Sequence, residues 1–485
     1  MRRVRDTVGR APVSHLTVIA AAAVLAVVST LVPSATAVAR TSPTTSTPHP
    51  GAVASSVLSQ PTAGHAYRHG ALPLRDSDAG RAAAPLLVPA SSADTTEPAP
   101  HNLGVSIRGE ATSGGGPVVT GTPHVYLVFW GSQWGTETTT GGYDHFSGDP
   151  DGLAPDLEAF FAGLGTDNEL WSAIATQYCD GVRDRTKTCP LSPTADHVGY
   201  PTPVPSILPR VWEDTSYTPT VGTFPGQEVA GASAVQIARE AAKAAAHLGD
   251  TSQQAQFFIV SPHFADPDGW LDPTDGYCAY HDDTGVFRGE VTGPRVEYTN
   301  FPYVPDAGTE ACSSTGKAGL LDGVTETASH EYVETQTDPY PASGWTDARG
   351  EEVADKCEYL SPGQPGAATY LTLATGTFDV QGIWANDSGK KGGCETAHAP
   401  IYVTAPSKQK SVVGSPVSLA VSAFDVRGST PTYGATRLPA GLAINHTTGV
   451  ITGTPVGHAH TRVTVTASET LGSTSAAFTW VVTRH

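Results

Sequence analysis

The chain has 485 residues, enough for two or three domains with a substantial core. Charged residues are only 15% of it, and its 51 glycines and 39 prolines are typical of a loop-rich, β-containing extracellular protein. The formal net charge of −19 argues against nucleic acid as a partner, because no basic surface is available to displace the counterions of phosphate groups.

The N-terminal residues have the three-part pattern of a secretory signal peptide. A positively charged "MRRVR" precedes the apolar run "LTVIAAAAVLAVVSTLV", and the small residues Ala35 and Ala37 follow it. We predict a signal peptide over residues 1–37, with an uncleaved membrane anchor as the alternative. No later segment has the length and apolar character of a bilayer span. The protein is therefore expected to be secreted and extracellular, with association with the cell wall as a further option and no membrane span after signal cleavage.

Residues 38–115 are rich in Ala, Ser, Thr, Pro and Gly, and Tyr67 is the only aromatic residue between positions 41 and 115. Such a segment cannot bury enough apolar surface to offset its conformational entropy. We therefore predict that it is disordered. A removable pro-segment and a spacer are the two roles that remain open for it.

Alternating strand and helix patterns extend from residue 116 to residue 400. Residues 125–130 form a continuous apolar, β-branched and aromatic run, which is the pattern of a buried strand. Apolar residues at helical spacing follow in "PDLEAFFAGL", and the Ala-rich "GASAVQIAREAAKAAAHLG" is the clearest helix of the chain. A second buried strand, "AQFFIVSP", comes next. The sequence therefore predicts an α/β domain over residues 116–400.

Six cysteines fall within this region, and an even count in an exported chain indicates disulfides. The sequence alone allows 15 pairings. Cys179 and Cys189 flank one short polar loop and are natural partners. The pairing that we prefer for the other four cysteines does not follow from their spacing. The favoured pairs are Cys179–Cys189, Cys278–Cys312 and Cys357–Cys394.

The segment "SHEYVETQ" places a histidine and two glutamates on one predicted helix. His330 and Glu334 are four residues apart, so their side chains share a face and can reach one ion. Glu331 is next to His330, where it can act as the base on a metal-activated water, as the glutamate of HExxH peptidases does. We therefore predict Glu331 as a catalytic residue and His330 and Glu334 as metal ligands. An acidic surface helix is the alternative.

A catalytic zinc requires a third protein ligand, and the acidic stretch "GEEVADKC" follows the predicted helix. Glu352 is the preferred third ligand, and Asp355 is the alternative. Whichever of the two does not bind the metal would orient His330 through the second nitrogen of its ring. A carboxylate in place of a histidine weakens the selectivity for zinc. A divalent metal is therefore predicted, with zinc preferred and manganese or calcium as alternatives.

Two further histidines, His263 and His281, lie among aspartates in "SPHFADPDGWLD" and "YCAYHDD". We interpret them as parts of a solvated, disulfide-rich loop, with a cleft or a calcium site as the alternative. The sequence contains no nucleophile elbow of a serine hydrolase, no P-loop and no dinucleotide fingerprint.

From residue 401 to residue 485, a period-2 alternation broken by Pro and Gly turns predicts a small β-sandwich. The order "LPAGLAIN", "TGVITGTP" and "VTVTA" resembles the Ig-like domain of bacterial surface proteins, of the cadherin and dystroglycan-like group. The resemblance covers Ser415 to Val482 and implies a spacer or an adhesive module.

The stretches "HVYLVFWG", "SHEYVETQTDP", "EEVADKC" and "VQGIW" resemble a bacterial secreted family that is related to the plant phosphate-induced, or exordium, proteins. The resemblance covers about residues 123–394. It implies a zincin-like fold whose HExxE helix carries His330, Glu331 and Glu334. No settled enzymatic activity comes with it.

Two functions follow from these patterns. The first is a metallopeptidase-like protein, a candidate zinc enzyme, that acts on an extracellular protein or a cell-wall substrate and uses the sandwich as an accessory module. The second is a non-catalytic cell-envelope binding or adhesion protein, in which the zincin-like domain is structural. The sequence favours the first by a narrow margin.

Overall fold

The computed structural model describes residues 68–75, 104–105, 118–182, 187–189, 196–202, 206–217, 232–308, 310–315, 319–341, 344–347, 350–388 and 392–484. The predicted signal peptide at residues 1–37 lies outside the described residues, and so does most of the segment 38–115. Within the described part, no helix is both long enough and apolar enough to cross a membrane.

Three α-helices occur among the described residues: α1 Leu153–Gly163, α2 Ala234–Leu248 and α3 Asp322–Thr337. The strands up to residue 395 are β1 His69–Pro73, β2 Gly104–Val105, β3 His124–Trp130, β4 Glu137–Thr140, β5 Tyr143–Phe146, β6 Arg210–Asp214, β7 Ala255–Val260, β8 Tyr277–Asp283, β9 Glu297–Phe301, β10 Trp345–Thr346, β11 Thr369–Leu373, β12 Gly376–Val380, β13 Ile383–Ala385 and β14 Gly393–Glu395. The strands from residue 401 are β15 Ile401–Val403, β16 Gln409–Val412, β17 Val417–Ala420, β18 Ala423–Asp425, β19 Thr432–Thr436, β20 Leu442–Ile444, β21 Val450–Gly453, β22 Ala459–Glu469 and β23 Gly472–Thr483.

A six-stranded mixed sheet, in the order β1-β8-β9-β7-β3-β6, organises the first of these two regions, which we call the α/β region. Strands β6, β3, β7 and β9 run parallel to one another, and β8 and β1 are each antiparallel to their neighbour. Strand β7 is buried along its whole length, and β3 from Val125 onward. Strands that are covered on both faces carry continuous apolar runs, which explains the sequence pattern there.

The helices of the α/β region are positioned by their ends and by aromatic contacts. Helix α2 begins with a capping box between Ser233 and Gln236, and it ends at the left-handed Gly249. At the start of α1, the carboxylate of Asp149 accepts hydrogen bonds from three backbone N–H groups. The ring of Phe161 in α1 contacts Tyr332 of α3, 5.8 Å away, and also Phe258 of β7. Helix α1 therefore packs on both the sheet and α3.

The segment 38–115 was predicted to be disordered, but two parts of it form strands. Residues 69–73 form strand β1 at the edge of the sheet, antiparallel to β8, and residues 104–105 pair with β10. The prediction failed there because it averaged composition over the whole segment. A short strand that completes an existing sheet needs little apolar surface of its own, and Leu72, fully buried, supplies it.

The three disulfides join Cys179 to Cys189, Cys278 to Cys312 and Cys357 to Cys394. These are the pairs favoured by the sequence. The second connects β8 to the segment before α3, and the third connects the acidic segment after α3 to β14. Both therefore stabilise the surroundings of α3.

The residues from 401 onward form a β-sandwich, in which β16-β23-β22-β19 and β17-β21-β20 are the main sheets. Its buried core includes Ile451, Val465 and Trp480. Tyr402 of β15 reaches the α/β region, where its hydroxyl lies 2.9 Å from Thr176 Oγ1. The β-rich sandwich that was predicted from period-2 alternation is confirmed.

Candidate metal centre

Helix α3 lies in the interior of the α/β region, although many of its residues are polar. Every residue from Gly323 to Thr337 is buried, and the helix contacts β1, β8 and β12. The side chains of His330, Glu331 and Glu334 have no exposed surface. The helix is thus not the acidic surface helix that was the alternative. Burial of polar groups on this scale is unfavourable unless they are paired or bind a cation.

The ring orientation of His330 is set by Gln381. The amide nitrogen of Gln381 donates to the backbone carbonyl of Ala354, 2.6 Å away, so its amide oxygen faces His330 Nδ1 at 3.1 Å. The proton of the imidazole therefore lies on Nδ1. The other nitrogen, Nε2, faces only oxygen atoms: Gly70 O at 3.1 Å, Glu334 Oε2 at 3.2 Å and Asp355 Oδ1 at 3.8 Å.

A neutral imidazole would direct its Nε2 lone pair at these oxygens, which is repulsive, so the arrangement requires a proton or a cation at that point. Burial opposes protonation of His330, but the charges of Glu334, Glu331 and Asp355 outweigh it and raise the pKa of His330 well above its ordinary value. The position next to Nε2 therefore attracts positive charge strongly.

The two oxygens of Glu334 have different surroundings. Oε1 accepts hydrogen bonds from the backbone N–H groups of Ala354 and Asp355 at 3.1 and 2.9 Å. Oε2 accepts no hydrogen bond from a described residue and points toward His330 Nε2. The backbone of the acidic segment thus fixes the carboxylate and leaves one oxygen aimed at the site.

Asp355 and Glu352, the two predicted third ligands, occupy different places. Asp355 Oδ2 accepts from the N–H of Glu352, and its Oδ1 is directed toward His330. Glu352 Oε1 lies instead 3.6 Å from Nε2 of His281. The potential ligand atoms of His330, Glu334 and Asp355 all lie within 4.8 Å of one another, so Asp355 is the predicted third ligand that groups with His330.

The sequence interpretation placed His281 in a solvated loop, with a cleft or a calcium site as the alternative. This histidine belongs to β8, where it is fully buried, and not to a solvated loop. Its Nδ1 lies 3.3 Å from Glu331 Oε2 and 3.9 Å from Glu334 Oε2. With Glu331 and Glu334 it forms a second group of potential ligands, which shares Glu334 with the first. The signal in the sequence was the run "YCAY" directly before "HDD", which is more typical of a strand than of a loop.

Two more buried carboxyl groups, Glu297 of β9 and Glu358, lie close enough to the motif helix to interact with it. Burial raises the pKa of Glu358 to about 8 even though His330 lowers it. Burial, the charges of Glu334 and Asp355 and that of Glu297 raise the pKa of Glu331 well above its usual range, against the opposing effect of His330. Among the described residues, no lysine or arginine forms an ion pair with these groups.

The donor atoms present fit a divalent ion. Ligand atoms around a tetrahedral zinc lie about 3.3 Å apart when each bond is about 2.0 Å, and His330 Nε2 and Glu334 Oε2 are separated by 3.2 Å. Glu334 Oε2, Asp355 Oδ1 and Glu331 Oε1 are all buried and accept no hydrogen bond from a described residue. One imidazole with several carboxylates suits zinc or manganese.

Strand β1 closes the site. The backbone carbonyl of Gly70 lies against His330 Nε2, and a Cβ added at Gly70 would overlap Glu334 Oε2 and lie 2.9 Å from His281 Nδ1. Gly70 has a φ of +54°, which favours glycine. The site is therefore sealed on the side of β1.

Comparison with family models identifies one domain. Residues 399–483 match the family described as "Putative Ig domain". A comparison with curated proteins finds no significant match.

Solved structures that resemble the chain share only a small part of it. A "putative alpha-galactosidase/melibiase" from Bacteroides fragilis is 19% identical, with 17% of each chain covered and a TM-score of 0.16. Human protocadherin-24 EC1-2 is 17% identical over 16% of this chain and 39% of its own, with a TM-score of 0.14. Drosophila N-cadherin EC1-3 is 17% identical over 26% of this chain and 46% of its own, with a TM-score of 0.16. The chain thus spans less than half the length of each of these proteins.

Proposed function

We propose that this protein is a secreted, peptidase-like metalloprotein that holds a divalent ion, preferably zinc, between His330, Glu334 and Asp355. The observation that carries the proposal is the ring of oxygens around His330 Nε2, which requires a positive charge at that point. The surrounding excess of buried carboxylates is consistent with a bound cation.

The chemistry is peptide-bond hydrolysis with Glu331 as the base. A divalent ion would supply Lewis acidity, which activates water and polarises a carbonyl group. Glu331 would take a proton from the water as its oxygen bonds to the carbonyl carbon, and would pass that proton to the amine as the C–N bond breaks. His281, at 3.3 Å from Glu331, would hold its carboxylate in position.

Metal analysis of the purified full-length protein tests this proposal. We expect about one divalent ion per chain in the wild type, its loss in His330→Ala, and its retention in Glu331→Gln, since Glu331 is the base and not a ligand. A wild-type protein without a divalent ion, and as stable as His330→Ala, would remove the site. Loss of the ion in Glu331→Gln would make Glu331 a ligand and contradict its role as base.

A non-catalytic function is the second candidate, and the full burial of His330, Glu331 and Glu334 favours it. Closed metal sites are typically structural, whereas catalytic sites keep an open position. In that case the ion would stabilise an extracellular protein that binds the cell envelope or another protein through its Ig-like sandwich. Two results together would support this candidate. The protein would bind cell-wall preparations equally well with and without a chelator, and it would hydrolyse no peptide in any form.

An extracellular location is part of both candidates. Three disulfides form in oxidising compartments, and Ig-like sandwiches are common in extracellular proteins. The partner would be an extracellular protein or a cell-wall component. Detection with an antibody in the medium, cell-wall and cytosolic fractions of a culture measures the location directly. Retention in the cytosol would contradict an extracellular location.

A further inference from the structure

Strand β1 lies across the candidate metal centre as an extended peptide would. It is antiparallel to β8, the strand that carries His281, and without β1 the edge of the sheet would be β8 itself. The register is irregular between His69 and Leu72, which is the position of Gly70. Such irregularities redirect backbone groups, and here the redirected group is the carbonyl that lies 3.1 Å from His330 Nε2.

Two residues before Gly70, a buried pocket holds an arginine. The guanidinium of Arg68 lies 3.0 Å from the carboxylate of Asp268 and donates to the backbone carbonyls of Asp268 and Asp275 at 2.5 and 3.3 Å. It also lies over the ring of Tyr277, at 4.7 Å from the centroid. Arg68 is only 6% exposed. Carboxylate, carbonyls and an aromatic face together select arginine over other side chains.

The positions of Gly70 and Leu72 are equally selective. At Gly70 any side chain would collide with Glu334, so only glycine allows the carbonyl to approach the site. Leu72 is fully buried. The carbonyl of Pro73 accepts a hydrogen bond from Tyr359, and the N–H of Leu74 donates to Gly276 at 3.0 Å. Backbone bonds hold the strand, and side-chain pockets read alternate residues, as in peptide recognition by addition of a strand to a sheet.

We propose that the groove between β8 and α3 is a substrate-binding cleft for extended peptides with arginine two residues before glycine, and that residues 68–73 occupy it as an internal pseudosubstrate. This rests on the proposed function. The bond to be hydrolysed follows the glycine: water adds to the glycine carbonyl carbon, the bond from that carbon to the next nitrogen breaks, and Glu331 transfers the proton to the new amine. The internal segment survives because His330, Glu331 and Glu334 are sealed from solvent.

Displacement of β1 tests the proposal. In Gly70→Ala, the added Cβ collides with Glu334, so the strand should leave the groove. Gly121→Ala is the matched control, because Gly121 also has a positive φ, of +81°, but an added Cβ meets no atom within 4 Å. The probe is a fluorescent peptide with the sequence AYRHGALPLR, which corresponds to residues 66–75. We expect it to bind Gly70→Ala at least tenfold more tightly than either the wild type or Gly121→Ala.

Specificity and cleavage are read from the same probe. The peptide with alanine in place of its first arginine should bind at least tenfold more weakly. Mass spectrometry should detect cleavage between its glycine and alanine by Gly70→Ala, and no cleavage by Gly70→Ala combined with Glu331→Gln.

A second form of the protein keeps the test valid if the Gly70→Ala variant fails to fold. A recognition site for a sequence-specific protease, placed within residues 80–90 of the full chain, allows the protein to fold with β1 in place and to be cut afterwards. The cut protein should exchange its N-terminal fragment for the labelled peptide. Absence of peptide binding by a folded, metal-loaded protein of either form would overturn the inference, and so would equal binding of the two peptides. Absence of metal from the wild type would instead overturn the proposed function.

Discussion

The α/β region and the sandwich bury very different side chains. The core of the sandwich is apolar: Ile451, Val465 and Trp480 are at most 1% exposed, and Asp425 is its one buried charged residue among those described. The α/β region buries many charged or titratable groups around and beyond α3, including Glu158, Glu169, Asp214, Glu240, His281, Asp282, Asp283, Glu297, Glu326, His330, Glu331, Glu334, Asp338, Asp347, Glu352, Asp355, Glu358 and Asp379.

This difference has consequences for the stability of the two regions. In the sandwich, local pattern, burial and packing all agree. In the α/β region, polar residues occupy an interior helix at a cost in stability, and a buried carboxylate is retained only where it is paired or useful. The comparison therefore predicts that ions and pH act on the stability of the α/β region and leave that of the sandwich unchanged.

The largest expected effect is that of His330→Ala. The substitution leaves Glu334 and Asp355 buried without a positive partner, so the free energy of unfolding should fall by about 3–5 kcal/mol. Urea denaturation of the full chain measures it. In the sandwich, Ile451→Val is the contrasting change, with an expected cost of about 0.5–1.5 kcal/mol.

A chelator separates the two effects. It should destabilise the wild type and the Ile451→Val variant by equal amounts. It should have little effect on His330→Ala, because this variant is expected to lack the proposed ion. If a chelator destabilised His330→Ala as much as the wild type, the ion would bind elsewhere. The predicted difference between the two regions in their response to ions would then be wrong.

Much of the fold follows from local patterns in the sequence. Strands β3 and β7, helices α1 and α2 and the alternation of the sandwich are each encoded by neighbouring residues. The pairing of His330 with Glu334 is equally local, because four residues make one helical turn. The apolar segment "NELWSAIATQY" forms only a short 3-10 helix at Ser172–Gln177, since a short apolar run does not specify the type of helix.

The rest of the site depends on contacts between residues far apart in the chain. Gly70 lies 260 residues before His330, Gln381 lies 51 after it, and His281 reaches Glu331 across 50 residues. No periodicity records such contacts. The preference for Glu352 over Asp355 likewise depended on a local turn whose direction only the surrounding fold determines: Asp355 faces His330, and Glu352 faces His281.

A smaller effect is expected at Asp379 of β12, which lies near Glu326 of α3. Burial, and then the charge of Glu326, raises the pKa of Asp379 to about 9. Its pKa in the unfolded chain is about 3.8, so folding takes up a proton, and stability falls as the pH rises from about 4 toward about 9. Asp379→Asn removes this dependence and should be more stable than the wild type by about 1 kcal/mol or more at pH 8, with the difference vanishing near pH 4.

Thermal denaturation across this pH range measures the effect. The control is Asp196→Asn, at an exposed position, which should have the pH dependence of the wild type. Equal slopes for Asp379→Asn and the wild type would show that the carboxyl group stays ionised in the folded protein, and buried charge in the α/β region would then cost less than the comparison with the sandwich implies.

The smallest expected effect is at the junction of the two regions, where His398 packs on Tyr402 of the sandwich. Its Nδ1 lies 3.0 Å from Glu395 and its Nε2 lies 3.4 Å from Asp387, so only the doubly protonated ring donates to both. Burial opposes protonation, but the two carboxylates outweigh it and raise the pKa of His398 to about 9.

Because this pKa is raised on folding, the stabilisation is complete below about pH 6.5 and is lost as the pH rises through about 9. The wild type should therefore lose about 1 kcal/mol of unfolding free energy between pH 6.5 and pH 9.5 that His398→Gln does not lose. His460→Gln, on the exposed face of β22, is the matched control and should behave like the wild type. If His398→Gln lost as much unfolding free energy between pH 6.5 and pH 9.5 as the wild type, His398 would not be the group that titrates. The pH-dependent part of the α/β region would then end before residue 398.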